Sequence, residues 1–500
     1  MISLNRFVRE VREAISDRDF AFVRPSIYPR VKDPRKRLHL KEGEKNTCRP
    51  ICLFSLKDRL ILTFTNRFLT QLLDPYFEDN SFAFRAVKTI EGNEKLRTHH
   101  DAIRRILDFK ANAQDHTYLW IAERDIEKFY DSVNHQVIRT RLATLIDQAK
   151  KDYPELILDE AINIFEAYLK CYSFNHDVLP LNGDANYWEI YKISNGEFGW
   201  VRTRLEETNY YSDIEREQIG IPQGGALSGL IANVVLDAAD KAMLRWPDLL
   251  YTRFCDDMIM IHCDEKVCAE AILEYEKSLK SLKLVPHSVK DSADLTRMRT
   301  KTRRHLPAIS LEPFWNAKSK GPYKWGPVNE NAFPWIGFVG YEISYDGYVR
   351  VRKGSIQKQV EKQKRVVVEI KKAIKQGKRV SNGTIAQSAI RRLIGMSVGR
   401  VELWNYDDVQ NELCWKSGFK ELTSNKYSKR QMKMLDRSRN KLYYRLLRDL
   451  EKKGDIDDRR KKRKGSRQIV KYDKPFSYYH QVIERAEVGK PTTRQDSNRD

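Results

Sequence analysis

Residues 249–263, LLYTRFCDDMIMIHC, constrain this chain more than any other stretch. Tyr251, Thr252, Arg253 and Phe254 form a strand-like run that meets Cys255, Asp256 and Asp257, after which Met258, Ile259, Met260 and Ile261 resume the apolar pattern. Strand, acidic turn, strand satisfies this order, and it sets a carboxylate pair at the tip of a hairpin. A second strand-like stretch, YLWIAERDI at 118–126, also ends in acids, with Asp125 followed by Glu127 and Asp131. A third, FPWIGFVGYEI, covers 333–343. Helix-like stretches separate them, NHQVIRTRLATLIDQAK from Asn134 and SGLIANVVLDAADKAMLRW from Ser228, so the fold class reads as α+β with an antiparallel sheet.

From about Ser355 the pattern turns helical and strongly basic, and helix-like segments continue to Lys453. The implied division is 1–114 as an N-terminal extension, 115–350 as the sheet-bearing region, 351–453 as an α-helical domain, and 454–500 as a basic tail, its end disordered without a partner. Lys plus Arg number 91 against 69 Asp plus Glu, a net charge of +22 that favours a polyanionic partner through phosphate contacts. No stretch has the roughly 18–20 uncharged apolar residues of a membrane helix, so a cytoplasmic location without a membrane partner is expected. The seven cysteines are scattered and odd in number. Cys48 and Cys52, or Cys263 and Cys268, lack a second pair at ligand spacing, so reduced thiols rather than zinc are expected.

The acids fit one chemistry well. Phosphoryl transfer to a hydroxyl needs two divalent ions about 4 Å apart more than it needs covalent help from side chains. Mg²⁺ takes oxygen ligands, keeps several waters and is held by one or two carboxylates plus substrate phosphates, so three aspartates on neighbouring strands suffice. An isolated Asp-Asp turn is ordinary turn chemistry. A third segment, IGIPQGGALSGL at 219–230, adds glycines that allow close backbone approach, Gln223 as donor and acceptor, and Ser228 as a cap for the following helix.

In this order the segments resemble the palm of reverse transcriptases. DIEKFYDSVNH resembles the family's first catalytic motif, IPQGGALSGLIAN its template- and nucleotide-positioning motif, and FCDD its Tyr-x-Asp-Asp hairpin with Phe254 in the Tyr place. CRPICLFSLKDRLILTFTNRFLTQLLDPYFEDNSFAFR (48–85) is similar to the fingers of bacterial members, and IGFVGYEIS to the primer-grip hairpin. The resemblance implies a right-hand polymerase with fingers and palm, a finger insertion at about 140–215, and an all-α thumb-like domain. It implies that Asp125 and Asp256 bind two Mg²⁺ ions, with Mn²⁺ able to substitute, that Asp257 completes the hairpin, and that the Ile126 carbonyl adds a ligand. Lys41 and Arg49 would contact the triphosphate, Tyr130 would abut the sugar and select deoxynucleotides, and Gln223 and Gly224 would lie against the nascent base pair. Lys290 would assist the leaving pyrophosphate, and Phe338, Val339, Gly340 and Tyr341 would grip the primer.

Two departures stand out, Ala226 and Gly229 where the family usually has proline. Neither a His/Cys nuclease module nor an RNase H carboxylate set is apparent, and the chain is most similar to stand-alone enzymes of antiphage defence and abortive infection. The expected activity is RNA-directed DNA synthesis from dNTPs, with an RNA template or structured non-coding RNA as partner and DNA as product. Three further readings stay open: template-independent or homopolymer synthesis on the same palm, protein priming from Tyr472, Tyr478 or Tyr479, and a catalytically idle RNA-binding scaffold. A homo-oligomer is also open.

Overall fold

A computed structural model describes residues 4–32, 43–88, 94–113, 116–290, 316–327, 332–376, 381–398, 418–422, 425–451 and 474–477, with Phe314 and His480. Lys41, Tyr472, Tyr478 and Tyr479 lie outside the described residues. The chain divides into two compact units, one of Met1–Ala102, Asp115–Trp325 and Asn329–Ala332, the other of Ile103–Gln114, Gly326–Val328 and Phe333–Asp500.

Along the first unit run β1 (Ser26–Val31), β2 (Asn46–Leu53), β3 (Ala86–Lys88), β4 (Glu94–Leu96), β5 (Leu119–Arg124), β6 (Gly196–Glu197), β7 (Leu250–Phe254), β8 (Asp257–His262), β9 (Val289–Lys290) and β10 (Ser319–Trp325). The central sheet has the order β7-β8-β5-β10-β9, antiparallel except for the parallel β9–β10 edge. Its middle strand β5 is buried at Leu119, Ile121, Ala122, Glu123 and Arg124, because the Glu265–Ser281 helix packs on β5, β8 and β10. Burial so complete lets the strand read as a nearly continuous apolar run. A smaller sheet of order β1-β2-β6 holds the 46–53 strand.

Local rules explain the helix starts. The Asn134 side chain accepts from the Gln136 and Val137 amides and caps the His135–Asp152 helix. Ser228 does not cap the helix it opens, contrary to expectation: its hydroxyl donates to the Pro222 carbonyl at 2.6 Å and pairs with the Tyr168 hydroxyl at 2.7 Å. A buried hydroxyl must be satisfied somewhere, and here a loop carbonyl and a buried tyrosine outcompete the helix amides.

The second unit contains β11 (Trp335–Phe338), β12 (Tyr341–Ser344) and β13 (Val349–Val351) in one antiparallel sheet. Long helices Lys353–Lys375, Asn382–Val398 and Lys426–Glu451 follow, sharing a core of Val366, Val367, Ile385, Ala389, Leu393, Leu446 and Leu450. The expected α+β class and helical C-terminal region are therefore observed. No described helix is long and apolar enough to cross a membrane.

Candidate active site

Strand register brings the acids together. β5 pairs with β8 so that Arg124 faces Met258, which brings the next residue, Asp125, level with Asp257. β7 and β8 close at Phe254 and Asp257, leaving Cys255 and Asp256 as a two-residue loop. Cys255 takes φ 61°, a left-handed value that such loops require and that a non-glycine residue adopts under strain. Two contacts hold it there: Arg253 Nη1 donates to the Cys255 carbonyl at 2.9 Å, and the Cys255 thiol meets the Tyr130 hydroxyl at 3.3 Å.

Electrostatics show the crowding. Desolvation and then the charge of Asp125 raise Asp256 above the usual carboxylate range. Asp257 is pushed up to about 7 by desolvation on its protein side and by Asp125 and Asp256. Asp125 is buried, its amide donates to the Ser319 hydroxyl oxygen at 3.2 Å, and Lys318 Nζ donates to its Oδ2 at 2.5 Å. Burial opposes the Lys318 charge, but this bond and the three aspartates raise its pKa overall, so the ammonium persists. Among the described residues no three His, Cys, Asp or Glu side chains form a ready-made metal cage. An all-oxygen donor set in which the Asp125 charge raises both Asp256 and Asp257 nonetheless fits a hard divalent cation, which completes its shell with water and phosphate.

A second cluster lies beside the Gln223 loop. The Gln223 amide donates to Asp131 Oδ1 at 2.7 Å, and its carbonyl accepts from the Cys52 amide of β2 at 2.9 Å. Gly224 turns with φ 98°, and a Cβ there would sit 3.5 Å from the Cys52 carbonyl. Burial raises Asp131, and the charges of Lys128, Lys32 and Arg49 offset this. Lys32 is itself pushed down to about 8, first by desolvation and then by Lys128, with Arg49 adding to it. Three cations thus converge here, of which the sequence pointed to Arg49; its other triphosphate candidate, Lys41, lies outside the described residues. Lys128 and Lys32 look like ordinary surface charge in sequence; the left-handed Lys128, φ 53°, is what bends the chain to bring it in.

Lys290 ends the edge strand β9, and Lys318, which the sequence did not single out, places an ammonium on Asp125. Phe338 and Tyr341 face each other across the β11–β12 hairpin, whose loop residues Val339 and Gly340 take φ 37° and 90°; this hairpin lies in the second unit. Positive φ at a β-branched residue is uncommon enough to mark the loop.

Residues 39–293, about half of the chain, match the family described as reverse transcriptase (RNA-dependent DNA polymerase). The chain belongs to the reverse transcriptase family. Its similar proteins include Protein YkfC of Escherichia coli K12, 20% identical over 277 residues, 48% of this chain and 57% of that one. The group II intron-encoded protein LtrA of Lactococcus lactis subsp. cremoris is 24% identical over 220 residues, 44% of this chain and 26% of LtrA. The chain thus spans less than two thirds of YkfC and about a quarter of LtrA. Among solved structures it is similar to telomerase from Candida albicans, with 12% identity, a TM-score of 0.34 and 97% and 68% of the two chains covered. Apo telomerase from Candida tropicalis gives 9% identity, a TM-score of 0.39 and coverages of 96% and 69%.

Proposed function

We propose that this reverse transcriptase makes DNA from deoxynucleoside triphosphates on an RNA template. The observation that carries the reading is the register that sets Asp125 level with Asp257 at a hairpin tip containing Asp256. Two divalent ions held by Asp125 and Asp256, with Asp257 and the Ile126 carbonyl completing the site, would lower the barrier for a 3′-hydroxyl to attack the α-phosphorus. Arg49, Lys128 and Lys32 bind the triphosphate, for which guanidinium and ammonium donors are suited. Gln223, fixed by Asp131, supports the nascent pair. As the new P–O bond forms and the bond to pyrophosphate breaks, Lys318 is the protonated donor for the departing oxygen.

Tyr130 is the sugar gate, its ring anchored through the Cys255 thiol. Purified chain with a primed RNA template and Mg²⁺ should extend the primer with dNTPs and poorly with rNTPs. Tyr130→Ala should narrow that preference by about 10- to 200-fold in kcat/KM ratios, the range one steric contact supplies. Equal use of both nucleotide types by the unaltered chain would refute this role. We also assign the chain to antiphage defence with a structured RNA partner, on its likeness to stand-alone defence enzymes; plating efficiency of phage on cells carrying the chain or Asp256→Ala tests that part.

Lys32 gives the site a pH dependence. Its lowered pKa means the ammonium is present below about pH 8 and is lost as pH rises through that value. The dNTP KM should therefore climb about tenfold from pH 7 to pH 9 with little change in kcat, one charge-assisted contact being lost. Lys32→Arg, always protonated, should flatten the profile. A KM that rises equally in both proteins would assign the effect elsewhere.

A further inference from the structure

One aromatic ring of the first unit is held outward at a cost. Ser81, Phe82, Ala83 and Arg85 are all buried, whereas Phe84 between them is 50% exposed and takes φ 57°. A phenylalanine gains nothing intrinsic from a left-handed backbone, so the surroundings must impose it. They do so from both sides. Arg85 is locked by Asp74 Oδ1 at 2.7 Å and by the Glu78 and Asp74 carbonyls at 2.6 and 3.1 Å. Asn233 accepts from the Ser81 hydroxyl at 3.0 Å and donates to the Ala83 carbonyl at 2.9 Å.

The ring's inner face rests on Gly229, where a Cβ would fall 2.6 Å from the Phe84 ring. This gives Gly229, one of the chain's departures from the family pattern, a physical reason: a larger residue would displace the ring. Gly229 follows Ser228, whose hydroxyl closes the loop that carries Gln223. The platform is thus continuous with the nucleotide-positioning loop, on a chain of net charge +22.

We propose that Phe84 is a stacking platform for an unpaired base of the template strand. The inference rests on the polymerase reading only for the strand's identity. Base stacking on an aromatic ring tolerates any sequence and holds a single strand beside a phosphate-binding site, which a braced, half-exposed ring supplies and a solvent-facing charge would not.

The test compares binding of two RNA–DNA hybrids, one blunt and one with a single-stranded template overhang carrying 2-aminopurine. Phe84→Ala should weaken overhang binding about 5- to 100-fold, the range for one stacked base, and leave the blunt hybrid unchanged. Phe84→Trp should retain overhang affinity, and 2-aminopurine fluorescence should be quenched by the unaltered chain and by Phe84→Trp only. Gly229→Ala, which pushes the ring aside, should weaken overhang binding alone yet add nothing in a Phe84→Ala background, where room exists for the methyl group. Unchanged overhang affinity in Phe84→Ala overturns the proposal and leaves the ring to a protein partner. Equal losses on both hybrids overturn it too, as a general structural defect. Overhang binding that depends on Phe84 without dNTP incorporation would sink the polymerase reading and leave the platform standing, and a chain that binds neither hybrid sinks both.

Discussion

Asp256→Ala should lower dNTP incorporation by about 10³-fold or more while leaving hybrid binding within about twofold. Losing one carboxylate of a two-ion site removes several kcal/mol of transition-state stabilisation, and each 1.36 kcal/mol is a factor of ten. The aspartate sits in the hairpin loop rather than in the core, so little packing is lost. The crowding of acids gives a second, opposite signature. Because desolvation and the charges of Asp125 and Asp256 push Asp257 up to about 7, stability is lost as pH rises from the usual carboxylate range towards 7 and levels off above it. In chelator at pH 8, Asp257→Asn should therefore raise the Tm by a few degrees, and by less at pH 5. Activity and stability would then move in opposite directions at neighbouring acids of one hairpin tip, the mark of a site built for a cation. Single-turnover incorporation and a thermal scan check the two halves; a protein that lost both would have been damaged, not probed.

The sheet and its acids were legible because strand periodicity is a local signal. Met258 to Ile261 form a short continuous apolar run that fits a buried strand, and an acid pair between two such short runs leaves a hairpin as the economical reading. Asn134 likewise announced its helix by being an ideal cap. What stayed hidden depended on contacts between segments remote in sequence. Lys318 reaches Asp125 because β10 pairs with β5, and nothing in SKGPYKW says which strand it will join. Lys320 and Tyr323, on the same strand, bond to the buried Glu123, a cluster equally invisible to periodicity. Ser228 misled for the reverse reason: its position fits a cap, but the competing partners, Tyr168 and Pro222, become visible only once the chain has folded. The three cations around Asp131 come from three separate segments, and only Arg49 carries a motif signal in the sequence.

The least legible feature should also have the largest effect on stability. Arg253 and Asp240 are both buried, with Nε on Oδ1 at 2.7 Å and Nη2 on Oδ2, and Tyr251 donates its hydroxyl to the same carboxylate at 2.7 Å. Asp240→Ala strands a buried guanidinium and a buried hydroxyl together, and should cost about 3–5 kcal/mol, read as a lower urea midpoint at unchanged slope. Replacing both partners with apolar residues, Arg253→Met with Asp240→Leu, removes the unpaired charge and should recover much of that loss. It cannot replace the Nη1 donor on the Cys255 carbonyl, so the hairpin loop carrying Asp256 loses its brace. The double variant should therefore be more stable than Asp240→Ala, short of the unaltered chain by the cost of the Tyr251 hydroxyl left without its acceptor, and incorporate dNTPs at least about tenfold more slowly, with the fall in kcat rather than in KM. Full activity in that stable variant would mean that Arg253 serves the fold alone, and that the strained loop holds its shape through the Tyr130 contact and the strand register without it.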